Sequence, residues 1–436
     1  MSRLERFSKY KESGVEWIGE IPEHWELKKF KYLFQEKKKT HNPKLQSGAI
    51  SFGKVVKKDD EKIPLSTKES YQVVEKGDFL VNPLNLNYDL KSLRIALSTI
   101  DVVVSSGYIV LQDRANSVLN KEYYRWLLHR FDVAFMKTLG AGVRQTISYT
   151  DLANCELAFP PENEQNKIAN YLDQKTAQID KAVTLKERLI EKLKERRQVL
   201  INDAVTKGLD PNVKMKDSGI EWIGEIPEGW EVEKFRFLFD FSKGLNITKE
   251  NLQEEGIPCV NYGEIHSKYG FELDPEKHPL KYVGEEYLET ASKSLLRNGD
   301  FIFADTSEDV EAAGSFTYLN SDIPTFAGYH TIITRLKKPM NNRYIAYFFD
   351  SDSFRDQVRQ KVKGVKVYSI TNAILKETLV CLPQLDEQHR IVKYLDTETQ
   401  KIDQVISFQE KQIEKLEEYK VTLIDSVVTG KVKVID

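Results

Sequence analysis

Two stretches of this chain are nearly the same. Ser13-Gly14-Val15-Glu16-Trp17-Ile18-Gly19-Glu20-Ile21-Pro22-Glu23-His24-Trp25 returns as Ser218-Gly219-Ile220-Glu221-Trp222-Ile223-Gly224-Glu225-Ile226-Pro227-Glu228-Gly229-Trp230, with two differences. A repeat of this kind restricts the fold severely, because each copy needs the same surroundings and calls for two similar modules rather than one core. The match continues softly, Lys29-Phe30-Lys31-Tyr32-Leu33-Phe34 against Lys234-Phe235-Arg236-Phe237-Leu238-Phe239. Farther along, Pro160-Pro161-Glu162-Asn163-Glu164-Gln165 and Pro383-Gln384-Leu385-Asp386-Glu387-Gln388 each open a helical pattern. The offset between copies grows from 205 residues, Ser13 to Ser218, to 223, Pro160 to Pro383, so the second middle is longer by 18. Between the blocks the sequence has diverged, and only short anchors persist: Gly77-Asp78-Phe79-Leu80 against Gly299-Asp300-Phe301-Ile302, and Gly107-Tyr108 against Gly328-Tyr329. Kept anchors under divergent surroundings imply one scaffold carrying different surface residues, against the alternative of free drift after an old duplication.

The blocks after the prolines predict two long helices. Apolar residues recur at heptad spacing as Ile168, Leu172, Ile179, Ala182, Leu189, Leu193 and Leu200, and again as Ile391, Leu395, Ile402, Val405, Leu416 and Leu423, with Gln412 the one polar exception. Lys175, Lys186, Arg196, Glu398 and Gln409 interrupt these stripes, which favours a two-helix pairing with its other faces in water. Each helix is expected to run about 40 residues or roughly 60 Å, from near Glu164 to Thr206 and from Glu387 to Thr429, with Gly208 and Pro211 stopping the first. Such a length is a spacer. Related by a two-fold, the helices lie antiparallel and hold two globular parts apart, able to touch one DNA face at points about a helical turn, roughly 34 Å, from each other. The plain alternative for a long amphipathic helix is a dimerisation coiled coil.

Composition bounds the class. With 436 residues, 40% hydrophobic and 30% charged, the chain suits two globular domains and has no apolar run fit for a membrane. Its start, Met1-Ser2-Arg3-Leu4-Glu5-Arg6, lacks the apolar core of a secretory signal, and Cys155, Cys259 and Cys381 are too scattered for a disulfide framework or metal cluster, so a reducing cytoplasm is expected. A formal net charge of −3 argues against coating nucleic acid through charge alone.

The middles, residues 45–160 and 240–382, mix short apolar strands such as Asp101-Val102-Val103-Val104 and Thr331-Ile332-Ile333 with helical stretches near Tyr123 to Met136 and Asn342 to Val358, which reads as α+β. The loop after the first Gly-Asp anchor carries Asn82, Asn85, Asn87, Tyr88, Lys91 and Arg94, types that bond base edges and phosphates. Its counterpart, Asp305-Thr306-Ser307-Glu308-Asp309, is acidic; Thr306 and Ser307 are its candidate contacts, and carboxylates can accept from cytosine amino groups. A second edge is Gly140-Ala141-Gly142-Val143-Arg144-Gln145, matched by Lys361-Val362-Lys363-Gly364-Val365-Lys366 and Tyr368, where glycines admit phosphate and cations supply charge. Arg144, Gln145, Lys361, Lys363, Lys366 and Tyr368 are the candidates there, although an exposed polar loop is more often merely exposed. Trp17, Trp25, Trp222 and Trp230 read as packing anchors between domain and helix rather than base-stacking platforms.

Catalytic motifs are not visible. There is no Gly-rich phosphate loop ending in Gly-Lys-Ser or Gly-Lys-Thr; Asn82-Pro83-Leu84-Asn85 lacks the second proline and aromatic of an adenine methyltransferase tetrad and reads as a turn; Cys259 with His266 lacks further ligands for zinc.

The Trp-Ile-Gly-Glu-Ile-Pro-Glu-x-Trp blocks at 17–25 and 222–230, the Pro plus Glu-Gln entries at 160–165 and 383–388, and the two long helices together resemble the specificity (S) subunits of Type I restriction-modification systems, over essentially the whole chain. The resemblance implies two α+β target-recognition domains separated by two long antiparallel helices forming a coiled coil, a pseudo-two-fold internal repeat. It divides the chain into residues 1–160 and 208–382 as recognition domains and 161–207 and 383–436 as conserved helical spacers. It implies a non-catalytic subunit in a bacterial or archaeal cytoplasm that reads a bipartite, asymmetric site on double-stranded DNA and docks two methyltransferase (M) subunits, with restriction/translocase (R) subunits added and no membrane partner. No cofactor is expected on this chain; S-adenosylmethionine, ATP and magnesium belong to the partners. A freestanding DNA-binding regulator would bind its site alone, a non-DNA scaffold would leave the loops idle, and a fused enzyme would need the absent methyltransferase motifs.

Overall fold

The computed structural model describes residues 3–61, 63–84, 93–114, 119–139, 146–220, 223–364 and 367–435. The chain is α+β and divides into two compact units, Met1–Lys186 with Glu410–Asp436, and Glu187–Gln409. Two long helices, Glu162–Lys207 and Leu385–Val428, follow the two globular modules. Among the described residues no helix is long and apolar enough to cross a membrane.

In the first unit the central sheet runs Ile95–Leu97, Phe79–Val81, Ile109–Asp113, Phe34–Glu36, all neighbours antiparallel. Its inner strands are apolar at successive positions because both faces are covered. Phe79, Val81, Ile95, Leu97, Ile109 and Leu111 point into a core shared with helix Lys121–Ala134 and the long helices, whereas the alternate residues Leu80, Ala96 and Val110 meet Val55, Val74, Val102 and Val104 in a second, smaller core. The second unit repeats the arrangement in a five-stranded sheet, Phe239–Lys243, Thr331–Leu336, Phe301–Ala304, Phe316–Leu319, Phe271–Leu273. There Phe301, Phe303, Phe316, Tyr318 and Ile332 face the main core, and Ile302, Ala304, Leu319 and Ile333 the smaller one.

The residues that the two halves share have packing roles. Gly77 and Gly299 adopt φ of 95° and 88°, open to glycine at little cost, and the aspartate that follows closes the turn. Asp78 Oδ2 accepts from Glu75 N at 2.7 Å and Asp300 Oδ2 from Arg297 N at 2.8 Å. The repeated tryptophans clasp the helix entries: Trp25 Nε1 donates to Glu164 Oε2 at 2.8 Å, Trp230 Nε1 to Glu387 Oε2 at 3.1 Å. The adjoining glutamines tie strand end to helix start, with Gln165 Nε2 donating to Pro160 O at 2.9 Å while Gln165 Oε1 accepts from Asn120 N at 2.9 Å. Gln388 repeats this pair with Pro383 O and Asn341 N, both at 3.0 Å. Each tryptophan also lies under the glycine that ends a long helix: a Cβ on Gly430 would meet Trp25 at 2.8 Å, and one on Gly208 would meet Trp230 at 3.3 Å. Both glycines have the positive φ of a helix C-terminal turn, 77° and 76°.

Within each unit the start of one long helix runs beside the end of the other. In the second unit Arg197 Nε lies 3.6 Å from Asp403 Oδ1, and Glu387 lies beside Gly208, so residue number rises along one helix as it falls along the other. In the first unit Asp180 pairs with Lys420 at 2.6 Å. The helix pair matches the expectation, but individual stripe positions differ. Leu189 is 43% exposed and its neighbour Ile190 only 8%; Val405 is exposed as well. The buried face follows Ile168, Leu172, Thr176, Ile179, Ile190, Ile201 and Ala204, the 3.6-residue period of an ordinary helix. Such a helix drifts about 20° per heptad from a strict seven-residue stripe, so three heptads beyond Ile168 the leucine has rotated off the seam and the isoleucine replaces it.

Candidate nucleic-acid interface

In each module the segments flanking the two loops singled out meet at one edge. In the first unit the chain leaving strand Phe79–Val81 is held by Ile147 N donating to Pro83 O at 3.0 Å, and Leu84 bridges Thr146. In the second, Ile370 N donates to Asp305 O at 2.8 Å, and Thr306–Ser307 pairs antiparallel with Tyr368–Ser369. The bond is the same in both units although the residues differ. Each edge is backed by a short helix with a hydroxyl cap: Ser148 accepts from Asp151 N, and Thr371 from Ile374 N. The same frame thus carries loops of unlike sequence in the two units.

The candidate side chains fall into three groups. Asn85, Asn87, Tyr88, Lys91, Arg144, Gln145 and Lys366 lie outside the described residues. Lys361 and Lys363 are exposed on the second edge and Tyr368 is half-buried beside them, while the half-exposed Asn82 turns its Oδ1 to Leu84 N at 3.1 Å, closing the turn that its Asn-Pro sequence foretells. Two expectations are corrected. Arg94 is 5% exposed and paired with Asp132, Nε to Oδ1 at 3.1 Å, so its charge is turned into the core by a carboxylate that also takes its backbone N–H. Ser307 is buried and donates to Asp309 O at 2.6 Å, which makes it a turn-former. Thr306 is half-buried, its carbonyl bonded to His266 Nε2 at 2.8 Å.

A cleft of about 480 Å³ opens at the second edge, lined by Tyr262, His266, Thr306, Glu308, Asp309 and His330 among others. His330 and Tyr262 went unnoticed in the sequence, and His266 was weighed there only with Cys259 as a zinc pair; the one pointer is that His330 directly follows the Gly328-Tyr329 anchor. The Cys259–His266 pair gains no further ligands: among the described residues no three His, Cys, Asp or Glu side chains are grouped to hold a metal ion. Burial above all, with a contribution from Glu264, pushes the Cys259 thiol up to about 12, leaving it neutral.

Trp25 and Trp230 are fully enclosed and Trp17 is buried, so these three act as packing anchors; Trp222 lies outside the described residues.

Residues 22–195 and 227–418 match the family model of the Type I restriction modification DNA specificity domain. The chain is similar to the Type I restriction enzyme MjaVIII specificity subunit of Methanocaldococcus jannaschii, at 24% identity over 76% of this chain and 75% of that one. In fold it resembles a chain from a structure concerned with complex assembly and conformational transition of the type I R-M system, at a TM-score of 0.70 and 16% identity over 94% and 98% of the two chains. It also resembles the HsdS subunit of Thermoanaerobacter tengcongensis, at a TM-score of 0.54 and 17% identity over 96% and 99%.

Proposed function

The chain belongs to the Type I restriction-modification specificity-subunit family, and on that premise we propose that it reads a bipartite, asymmetric site on double-stranded DNA, one half per recognition module, without chemistry of its own. The observation that carries this reading is the duplicated edge: one backbone bond, Ile147 to Pro83 and Ile370 to Asp305, joins the segments that bear the two loops in each unit, and the loops differ in charge and side chain. Two frames of one design bearing different donors and acceptors are what two different half-sites require. Exposed Lys361 and Lys363 would meet phosphate, and the acidic turn would meet amino groups. Docking of methyltransferase subunits is supported by apolar side chains left exposed on the long helices, Leu185, Tyr419 and Val421 in the first unit and Leu189, Val199, Val405 and Phe408 in the second. Two such subunits, with restriction/translocase subunits added, would bring S-adenosylmethionine, ATP and magnesium.

The test is to co-express the chain with its methyltransferase subunit in an unmethylated host and map adenine methylation by single-molecule sequencing. One split motif with two short halves and a fixed gap is expected. A soluble complex that leaves no motif would overturn the reading in favour of a scaffold. Removing one heptad from each long helix is further expected to change the tolerated gap while leaving both half-sites as they were, because helix length acts as the ruler; an unchanged gap would sink the ruler.

A further inference from the structure

The cleft at the edge of the second unit is built to accept hydrogen bonds. His330 Nδ1 lies 3.1 Å from Asp305 Oδ1, and a carboxylate can only accept, so Nδ1 carries a proton and, in the uncharged tautomer, Nε2 is left to accept. His266 Nε2 lies 2.8 Å from the Thr306 carbonyl, which also only accepts, so that ring keeps a bare Nδ1. Glu308 and Asp309, both exposed, add carboxylates to the same lining. The tautomers are thus set by backbone and carboxylate partners, and a ligand meets acceptors.

The placement is also deliberate in its backbone. His330 holds φ of 56°, a left-handed conformation that non-glycine residues seldom adopt, yet its side chain is 54% exposed rather than packed. Asp305 is fixed by its N donating to His330 O at 3.0 Å and its O accepting from Ile370 N at 2.8 Å, which joins His330 to both loops of the edge. The Tyr262 ring stands edge-on to His330, centroids 5.4 Å apart, and limits its swing.

We infer that this cleft is the base-reading site of the second module, with His330 the specificity-determining residue, and that it takes the exocyclic amino group of a cytosine or an adenine in the major groove. Cytosine N4 and adenine N6 are the base donors exposed there; guanine and thymine would set acceptor against acceptor beside carboxylates. The inference rests on the DNA-reading function proposed above and adds which residue reads and what it reads. Asp305 is a positioning residue: it orients the imidazole.

The experiment starts from the motif of the wild-type complex with its methyltransferase subunit. If there is no split motif the proposed function fails, and this inference with it. Given a motif, duplexes are prepared in which each cytosine or adenine of the second half-site in turn loses its amino group, and binding is measured at fixed salt. One deletion is expected to weaken the wild-type complex about tenfold, the usual worth of a base-edge contact; its being cytosine or adenine tells the two sources apart. The same deletion should leave a His330→Ala complex no weaker than it already is, and methylation by that complex should relax at this position alone. His330→Arg, which supplies donors, should shift the preference at that position towards guanine. Indifference of the wild-type complex to every amino deletion in that half-site, or relaxation in the other half-site, would overturn the inference, and the first of these outcomes needs no variant to fold.

Discussion

Replacing Trp25 or Trp230 by alanine is expected to cost about 3–5 kcal/mol, the range for emptying a buried tryptophan site, and so to remove much of the stability of a domain whose total is of order 5–15 kcal/mol. Trp25 and Trp230 are 0% and 2% exposed. Each joins three parts at once: the repeated block that holds it, the glutamate that opens one long helix and the glycine that closes the other. The cavity left by alanine would sit at that junction. Glu164→Ala and Glu387→Ala should cost less, about 1–3 kcal/mol, because they keep the ring and orphan its N–H, with Glu164→Ala also freeing the half-exposed His24 ring. Urea unfolding followed by far-ultraviolet circular dichroism on the chain purified with its methyltransferase subunit measures both. A tryptophan effect below about 1 kcal/mol would show that the repeat is kept for a surface role instead of for packing.

The architecture was legible because key repeated residues have partners that are also repeated. Tryptophan with glutamate, glutamine with the proline carbonyl, and the Gly-Asp turn each recur with near-equal geometry, so identity between the halves reports shared packing. The helices were legible as helices; the seam was misplaced by one residue in its middle, because heptad counting ignores the gap between 3.5 and 3.6 residues per turn. At the edges the loops could be found but not the directions of their side chains. Ser307 turns inward for a local reason, its bond to Asp309 two residues on, and Arg94 for a distant one, the carboxylate of Asp132. His330 lay hidden for the opposite reason. A histidine between an aromatic anchor and an apolar strand suggests a core position, and its outward turn depends on a left-handed backbone that sequence pattern does not carry.

The Arg94–Asp132 pair gives the second large effect and decides how loop variants are to be interpreted. Asp132 is wholly buried and Arg94 nearly so, and among the described residues the guanidinium Nη1 and Nη2 find no hydrogen-bond partner, so the aspartate carries most of the compensation for this buried charge. Asp132→Ala should therefore cost about 3–5 kcal/mol, the penalty of leaving one member of a buried pair alone. The double replacement Arg94→Met with Asp132→Leu removes both charges and keeps the volume; such exchanges are often neutral. Here it should fall short by about 1–3 kcal/mol, because the backbone N–H of Arg94 also loses its acceptor in Asp132. Denaturation midpoints of the three proteins give the ordering: wild type, then the double variant, then Asp132→Ala. The methylation motif gives the function. A folded double variant that methylates the wild-type motif assigns Arg94 to the core, and loss of methylation in Arg94→Ala then reports a damaged fold. A double variant that folds but relaxes one base of the first half-site would return Arg94 to the reading surface.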